Sequence, residues 1–481
     1  MYLGLDLGTS GLRALMVDEN GVPVASAEAH YDVSHPHSGW SEQDPADWVR
    51  ACEAAFSDLQ ANHPADFAKL SAIGISGHMH GAVLLGEDGQ VLRPCILWND
   101  TRCAQEAAHL DHAPGMRDIS GNIVFPGFTA PKLLWVETHE PDVFAQVSKV
   151  LLPKDYLRFW LTGEHVGDMS DAAGTSWLDV GARDWSETLL SQGHMRKDQM
   201  PRLVEGSEIS GMVRPELASS WGVTDVAVSG GGGDNAVAAC GVGCFKEGQG
   251  FVSLGTSGVL LAAKDSFAPD PATAVHTFCH AVPDRWYQMG VILAATDCLN
   301  WLSARLKRSP AELAGLVDTL NGPSGVMFLP YLSGERTPHN DSAIRGAFIG
   351  LDVGTGDAEL VQAVMEGVSF ALRDCLEALR ATGTELQDVL AIGGGTQSPV
   401  WVEMLATVLG LPLSLPKDGE FGAALGAARL AMVARGAAVE DVMTQPEIGQ
   451  TVAPRADLAD AYDAAYQRYR ALYPAIKDAL A

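Results

Sequence analysis

The sequence predicts an α/β protein built from two related halves, and a repeated loop is the first reason. Residues 5–11 read LDLGTSG and residues 252–258 read VSLGTSG, about half a chain apart. Each copy lies between two apolar runs, so each half is expected to open with a β-hairpin that turns at Gly-Thr-Ser-Gly. Elsewhere, strand-like apolar runs alternate with helical periodicity, which indicates sheets covered by helices.

Local signals predict the remaining elements in order. Asp44 and Pro45 are typical of a helix N-terminus, and the apolar residues that follow repeat with helical spacing. These apolar residues are Trp48, Cys52, Ala55, Phe56 and Leu59. Short strands are expected at 72–76, 226–229 and 389–392, a long amphipathic helix at 360–379 and a helical tail at 458–473.

The expected boundary between the halves lies near residues 243–250, and no low-complexity linker marks it. This boundary gives an N-terminal domain at 1–245 and a C-terminal domain at 246–481.

The net charge excludes several classes of partner. The chain has 32 Lys and Arg against 60 Asp and Glu, a formal charge of -28. Such a surface neither holds nucleic acid nor docks on anionic lipid. An acidic protein that handles phosphate must rely on backbone N–H groups, metal ions and helix N-termini.

The cysteine pattern predicts a cytoplasmic protein with reduced, buried thiols. Eight cysteines are present without a CxxC pair, and the closest two, Cys240 and Cys244, lie in an apolar stretch. The N-terminus carries Asp6 where a signal peptide needs an apolar core. No apolar run reaches the roughly 18–20 residues that a membrane span requires.

Asp6 and the loop after it are a candidate phosphate and metal site. Backbone N–H groups at Gly8, Thr9 and Ser10 can surround a phosphate, because glycine allows close approach. A carboxylate beside a phosphate is repulsive unless a cation lies between them, so Asp6 is predicted to bind Mg²⁺. The alternative is that Asp6 bonds its own turn.

Residues 230–235 read GGGGDN and follow a predicted strand, so they lie where α/β proteins bind ligands. We predict that Asp234 is the general base for a substrate hydroxyl and that Asn235 bonds a neighbouring hydroxyl. Simple N-capping of a helix by Asp234 is the alternative.

Two later loops are candidate nucleotide contacts. Gly255, Thr256 and Ser257 form the second copy of the phosphate loop, and Gly394, Gly395 and Ser398 follow the strand at 389–392. Turns and caps explain most single glycine runs, whereas four such loops after strands indicate a nucleotide bound between two domains.

Polar and aromatic residues after the strand at 72–76 are candidate sugar contacts. Met79 and His80 are predicted to contact substrate, and His78 is predicted to be peripheral; a zinc site formed by the two histidines is the alternative. Trp98, Asp100 and Arg102 combine an aromatic face with hydroxyl-binding groups. Asp100 and Arg102 can also pair with each other.

These motifs resemble the FGGY family of carbohydrate kinases from residue 1 to about 430. Two stretches are similar to the family signatures: GFTAPKLLW at 127–135, and GAFIGL at 346–351 followed by AVME at 363–366. The segments WSEQD at 40–44 and FLPYLSGERTP at 328–338 are also similar. The sequence departs from the expected pattern at His78, where glutamine is expected, and at Asp297, where a small residue is usual.

The resemblance implies two actin-like, ribonuclease H-like domains with a central cleft. The N-terminal domain would bind the sugar and carry the first phosphate loop, and the C-terminal domain would bind the nucleotide. The implied reaction converts D-xylulose and ATP to D-xylulose 5-phosphate and ADP, with Mg²⁺. The resemblance also implies that Asp234 is the proton acceptor, that Met79 and His80 contact the sugar and that the protein is a homodimer.

Two alternative functions remain open. One is phosphorylation of another sugar or polyol of the family, such as ribulose, glycerol or gluconate; the glycerol enzymes carry an Arg-Glu pair where this chain has Met79 and His80. The other is a non-catalytic actin-like ATPase, for which a long peptide-binding domain would be expected.

Overall fold

A mixed seven-stranded sheet forms the first half of the protein and opens with the predicted hairpin. The computed structural model describes residues 1–417 and 422–480. The strands of this sheet are β1 (Tyr2–Leu7), β2 (Gly11–Val17), β3 (Pro23–His30), β4 (Ala72–Gly77), β5 (Ile209–Met212), β6 (Ala227–Ser229) and β7 (Gly232–Gly233). Their order is β5-β6-β4-β1-β2-β3, and β7 also pairs with β4.

A second seven-stranded sheet forms the other half and opens with the second predicted hairpin. Its strands are β8 (Gln249–Leu254), β9 (Gly258–Lys264), β10 (His276–Cys279), β11 (Trp286–Ile292), β12 (Asp388–Ile392), β13 (Leu413–Pro416) and β14 (Ile448–Val452). Their order is β10-β11-β9-β8-β12-β13-β14.

The two sheets share one pattern of strand pairing. From β3 to β5 across the first sheet, the successive pairs are antiparallel, antiparallel, parallel, parallel and antiparallel. The pairs from β11 to β14 across the second sheet follow the same series. The repeated loop therefore marks a repeated architecture, and the predicted α/β fold with two actin-like domains is confirmed.

Helices cover the sheets and connect their strands. They are α1 (Pro45–Asn62), α2 (Pro64–Phe67), α3 (Ala104–Asp111), α4 (Met116–Ser120), α5 (Thr129–His139), α6 (Pro141–Phe144), α7 (Pro153–Thr162), α8 (Met169–Ala172), α9 (Glu187–Gln192), α10 (Pro215–Trp221), α11 (Asp234–Gly241), α12 (Thr296–Leu306), α13 (Pro310–Ala314), α14 (Asp357–Ala381), α15 (Pro399–Leu409), α16 (Ala423–Ala434), α17 (Val439–Val442) and α18 (Ala459–Leu480).

Short two-stranded sheets complete the loops. They pair Glu42–Gln43 with Cys95–Ile96, Val83–Leu85 with Lys149–Leu151, Val166–Asp168 with Arg202–Val204, Leu178–Asp179 with Asp184–Trp185, and Met327–Leu329 with Ala347–Ile349.

The predicted start of α1 is confirmed in detail. The Asp44 side chain accepts a hydrogen bond from the Ala46 N–H, and Pro45 occupies the first helical position. The five apolar residues predicted for one face of this helix are all buried, so the helix packs on the first sheet by burying that face.

Helix α16 crosses from the second half of the chain onto the first sheet. A Cβ atom on Gly4 would lie 1.8 Å from the Ala424 carbonyl oxygen, and one on Gly74 would lie 1.8 Å from the Ala427 carbonyl oxygen. Only glycine therefore permits this approach. Gly426 of α16 packs just as closely on α11, since a Cβ atom there would lie 1.9 Å from the Val237 carbonyl oxygen. Helix α16 therefore also holds α11, the helix that begins at Asp234.

The predicted burial of the cysteines is confirmed, since all eight are buried and none forms a disulfide. In the described ranges, no helix combines the length and apolarity needed to cross a bilayer. The boundary between 1–245 and 246–481 stays a prediction; residues 418–421 and 481 of the predicted C-terminal domain lie outside the described residues.

Candidate active site

The carboxyl ends of three strands bring Asp6 and Asp234 to one edge of the first sheet. Asp6 of β1 lies in register with Ser76 of β4, and Ser76 lies in register with Gly232 of β7. Since neighbouring strands are separated by roughly 4.8 Å, Asp6 and Gly232 lie about 10 Å apart across the sheet. Asp234 follows β7 directly, so both predicted carboxylates lie at this edge of the sheet, where the charge of Asp6 acts on Asp234.

Asp234 is the first residue of α11, and Gly233 occupies the N-cap without a side-chain bond. The alternative that Asp234 is a simple N-cap is therefore wrong. The backbone N–H and the side-chain amide of Asn235 donate to Asp234 Oδ1 at 2.7 and 2.9 Å. Because both bonds end on Oδ1, Asn235 orients the carboxylate and leaves Oδ2 available to a ligand.

The pKa of Asp234 is raised to about 6, mainly because the carboxyl is buried and also because of the negative charge of Asp6, while the hydrogen bonds from Asn235 act in the opposite direction. Burial also raises the pKa of Asp6, and this effect outweighs the opposing effects of the Ser76 hydroxyl and the Arg13 charge. A carboxylate with a pKa near 6 is mostly ionised at neutral pH and is still a useful proton acceptor.

The first Gly-Thr-Ser-Gly loop is held from several sides. The Gly8 N–H donates to the Gly11 carbonyl at 2.9 Å, which closes the turn, and Tyr31 Oη donates to the Gly8 carbonyl at 2.5 Å. Trp98 Nε1 donates to Thr9 Oγ1 at 3.0 Å, and the Trp98 side chain is 44% exposed. Ser10 is exposed at the tip. The predicted sugar-binding tryptophan and the predicted phosphate loop are therefore in direct contact.

The second copy of the loop packs against the start of α12. Thr296 donates from its backbone N–H and its hydroxyl to the Gly255 carbonyl, at 3.0 and 2.8 Å. The Ala295 N–H donates to the Thr256 carbonyl at 2.8 Å. Thr256 and Ser257 are exposed, so their polar groups are open to a ligand.

A cavity of about 630 Å³ lies beside the glycine loop at residues 393–395, which follows β12. Its walls come from α12, α13, the loop and the start of α15, and they include Thr296, Leu299, Asn300, Pro310, Val317, Gly394, Gly395, Gln397, Ser398 and Trp401. A Cβ atom on Gly394 would contact nothing within 4 Å, whereas one on Gly395 would lie 2.8 Å from Leu254 Cβ. The backbone of Gly394 therefore lines the cavity with no side chain in between. The volume of this cavity is suitable for a nucleoside.

Met79 lies against the loop that carries Asp234. A Cβ atom on Gly233 would lie 2.8 Å from Met79 Cγ, so a larger residue there would displace the Met79 side chain. Tyr287 of the second sheet contacts Met79, with its hydroxyl 4.0 Å from Met79 Sδ. The structure therefore brings Met79, one of the predicted sugar contacts, next to the residue that precedes Asp234.

His80 is held in a left-handed conformation with φ of 71°. Its carbonyl accepts hydrogen bonds from Lys132 Nζ at 3.0 Å and from Thr129 Oγ1 at 3.1 Å. Its ring stacks on Phe128 with the ring centres 4.5 Å apart, and Nδ1 lies 2.8 Å from the Gly174 carbonyl. Burial lowers the pKa of His80 to about 3, so the imidazole is neutral at physiological pH.

Sequence reasoning missed the contact of Lys132 with His80, one of the predicted sugar contacts. Lys132 is fully buried in α5 and donates to the carbonyls of His80, Gly127 and Phe128. Burial lowers its pKa to about 8. A lysine within an otherwise apolar helical stretch was the available signal.

Asp100 and Arg102 pair with each other, the alternative predicted from the sequence. Arg102 donates to the Asp100 carboxylate at 2.9 and 2.7 Å, and its guanidinium lies 3.6 Å from the Trp40 ring centre. The Arg102 side chain also lies 2.8 Å from Glu42. The role of these two residues in substrate binding stays a prediction, and the structure places their charges in a buried pair.

His78 is buried at the edge of Trp48, with the ring centres 5.6 Å apart. In residues 1–417 and 422–480, the group of side chains close enough to share a metal ion consists of Asp155, Asp168 and Asp171, and it includes neither His78 nor His80. The zinc alternative therefore has no support.

Two models of one protein family match most of the chain. The N-terminal domain of the FGGY family of carbohydrate kinases matches residues 1–241, and the C-terminal domain of that family matches residues 250–435.

Curated proteins and solved structures are similar over nearly the whole length. The xylulose kinase of Escherichia coli (strain K12) is 48% identical over 98% of each sequence, and that of Klebsiella pneumoniae is 50% identical over 90% of each. The crystal structure of a xyloylose kinase from Brucella ovis is 56% identical and superposes with a TM-score of 0.98 over 99% of each chain.

Proposed function

The chain belongs to the FGGY family of carbohydrate kinases, and we propose that it transfers the terminal phosphoryl group of ATP to D-xylulose. The products are D-xylulose 5-phosphate and ADP. The observation that carries this proposal is the carboxylate of Asp234, whose Oδ1 is held by Asn235 and which directly follows the contact of Gly233 with Met79, in a chain similar throughout to xylulose kinases.

Asp234 is proposed to accept the proton of the sugar's terminal hydroxyl as the bond to phosphorus forms. Asn235 holds one carboxylate oxygen, so the other faces the incoming hydroxyl in a defined direction. The raised pKa of Asp234, about 6, matches proton acceptance near neutral pH. Most of the rate enhancement in phosphoryl transfer comes from positioning and electrostatics.

The residues at the sheet edge fit a magnesium ion. Asp6 offers a hard carboxylate ligand, and its charge acts on the nearby Asp234 carboxylate, so a divalent cation between them relieves the repulsion. Asp6 would hold Mg²⁺ through water. When bound, Mg²⁺ offsets negative charge on the phosphoryl group in transfer.

ATP is the phosphoryl donor implied by the kinase family. We propose that its adenosine occupies the cavity of about 630 Å³, beside Gly394, Gly395 and Ser398. Backbone N–H groups of the two Gly-Thr-Ser-Gly loops would bind the phosphates: Gly8, Thr9 and Ser10 in one, and Gly255, Thr256 and Ser257 in the other. The Gly8 N–H already bonds within its turn, so Thr9 and Ser10 carry more of this proposal.

The sugar is proposed to lie between Asp234, Met79 and His80, with the exposed face of Trp98 beside it. Asn235 would bond a hydroxyl next to the one that reacts. Asp100 and Arg102 would contact the sugar while they remain paired with each other.

A cytoplasmic location, expected from the buried free thiols, and a homodimer, expected from the family resemblance, belong to the same proposal.

An ADP-release assay with D-xylulose, D-ribulose, glycerol, gluconate or no sugar tests the proposal. We expect D-xylulose to give a kcat/KM at least about 100-fold above the others, because a site that bonds several hydroxyls discriminates strongly. A better rate with another sugar or polyol would establish a different kinase of this family. ATP hydrolysis independent of sugar would favour the non-catalytic actin-like ATPase.

A further inference from the structure

Five buried charged side chains lie beneath the glycine loop that carries Asp234. We name them the buried ion cluster; its members are Lys154, Asp155, Arg158, Asp168 and Asp171, each at most 2% exposed. Lys154 Nζ lies 2.7 Å from Asp168 Oδ1 and 3.2 Å from Asp171 Oδ2, and it also contacts Asp155.

The three carboxylates approach within 4.8 Å of one another, as metal ligands do, but the Lys154 ammonium contacts all three. A protein cation thus takes the place that a metal ion would need. Burying five charges costs free energy that ion pairing only partly returns, so stability alone is a weak reason for this cluster.

The cluster reaches both ends of the glycine loop. At the first end, Arg158 pairs with Asp155 at 2.9 Å and donates through its other terminal nitrogen to the Gly230 carbonyl. At the second end, Asp168 Oδ2 accepts from the Ser170 N–H at 2.7 Å and from the Ser170 hydroxyl at 2.5 Å. The Ser170 oxygen in turn accepts from the Gly233 N–H at 3.1 Å.

The loop between these two ends fits its surroundings closely. Gly231 has a φ of 64°, and a Cβ atom there would lie 1.9 Å from the Ile75 carbonyl oxygen. A Cβ atom on Gly232 would lie 2.6 Å from Ser170 Oγ. The loop therefore follows the cluster and β4 closely, and Asp234 is the next residue after the contact at Gly233.

We propose that Ser170 is a positioning residue for phosphoryl transfer. Its hydroxyl links Asp168, and through it Lys154, to the Gly233 N–H, and this contact sets the direction in which α11 presents the Asp234 carboxylate. The inference rests on the proposed role of Asp234 as the base. Ser170 is fully buried, so it acts through the backbone one residue before Asp234.

The test compares Ser170→Ala with Ser369→Ala, which removes an equally buried hydroxyl from α14, where Ser369 donates to the Met365 carbonyl. We expect Ser170→Ala to lower kcat about 10- to 100-fold with the KM values for D-xylulose and ATP within 3-fold, since a small misplacement of a reacting group costs up to about 100-fold. Ser369→Ala should keep kcat within 2-fold. Equal kcat values for the two variants would overturn the inference.

A double variant separates positioning from general damage. Added to Asp234→Ala, the Ser170→Ala change should lower the residual kcat by less than about 2-fold, because no base remains to be oriented. A further 10-fold loss in that background would overturn the inference. Near-normal turnover of Asp234→Ala alone would instead refute the proposed function.

Urea unfolding of each variant confirms that the compared enzymes are folded. If Ser170→Ala is mostly unfolded, Ser170→Cys is compared with Ser369→Cys, because a thiol has a similar shape but is a weak hydrogen-bonding group. The same fall in kcat without a rise in KM supports the inference, and equal kcat values overturn it.

Discussion

Replacing Asp234 by alanine should lower activity and raise stability in the same protein. The carboxylate is the proposed proton acceptor, and a general base contributes about 10²- to 10⁴-fold to turnover. We therefore expect kcat with D-xylulose to fall at least 100-fold, measured by ADP release, while the KM for ATP changes little.

The stability gain follows from the pKa of the folded state. Burial raises the pKa of Asp234 from 3.8 to about 6, so the folded protein binds this proton more tightly than the unfolded chain does. Protonation of Asp234 therefore stabilises the folded state fully below pH 3.8, and this stabilisation is lost as the pH rises through about 6. At about 1.4 kcal/mol per pKa unit, the ionised carboxylate destabilises the fold by about 3 kcal/mol at pH 8 and by roughly half that at pH 5.

Asp234→Ala removes this penalty, and the hydrogen bonds lost from Asn235 offset part of the gain. Urea unfolding should therefore show the variant gaining about 1.5 kcal/mol more over the wild type at pH 8 than at pH 5. Asp142→Ala, which removes an exposed carboxylate from the first turn of α6, is the matched control and should change neither kcat nor this pH dependence. A folded Asp234→Ala enzyme with near-normal kcat would refute the role of the base. An equal effect on stability at both pH values would refute the burial argument.

Three further measurements test the site. The kcat/KM for D-xylulose should fall about 10-fold per pH unit below about pH 6, as Asp234 becomes protonated, and a constant value down to pH 5 would contradict its role as the base. Gly394→Ala should raise the KM for ATP roughly 5- to 100-fold without changing that for D-xylulose, because its methyl group enters the cavity; Gly325→Ala, also in open space, is the control. Lys132→Met should raise the KM for D-xylulose about 10-fold, because the His80 carbonyl loses a charged donor, and an unchanged KM would remove Lys132 from the sugar site.

Much of the fold could be predicted because its signals are local. Both hairpins, the start of α1 at Pro45 and the long helix α14 follow from turn residues, a cap and apolar periodicity within one segment. The position of Asp234 beside a strand end and at the start of a helix was predictable for the same reason.

Other parts of the site depend on which distant segments meet. The sequence could not decide whether Asp100 and Arg102 face a sugar or each other, because that depends on Glu42 and Trp40 from another segment. The hydrogen bond from Lys132 to the His80 carbonyl could not be predicted, since the two residues are 52 positions apart along the chain.

The sequence by itself determined the two-part α/β plan, the strand-end loops and the acidic residues that follow them, because backbone conformation responds mainly to near neighbours. Only the tertiary structure decided how those loops are held. The path from Lys154 through Asp168 and Ser170 to Gly233 joins residues up to 79 positions apart. The strength of such hydrogen bonds changes with the bond angle and with differences of a few tenths of an ångström in distance. This geometry is reached only when packed elements exclude water and hold each partner in place.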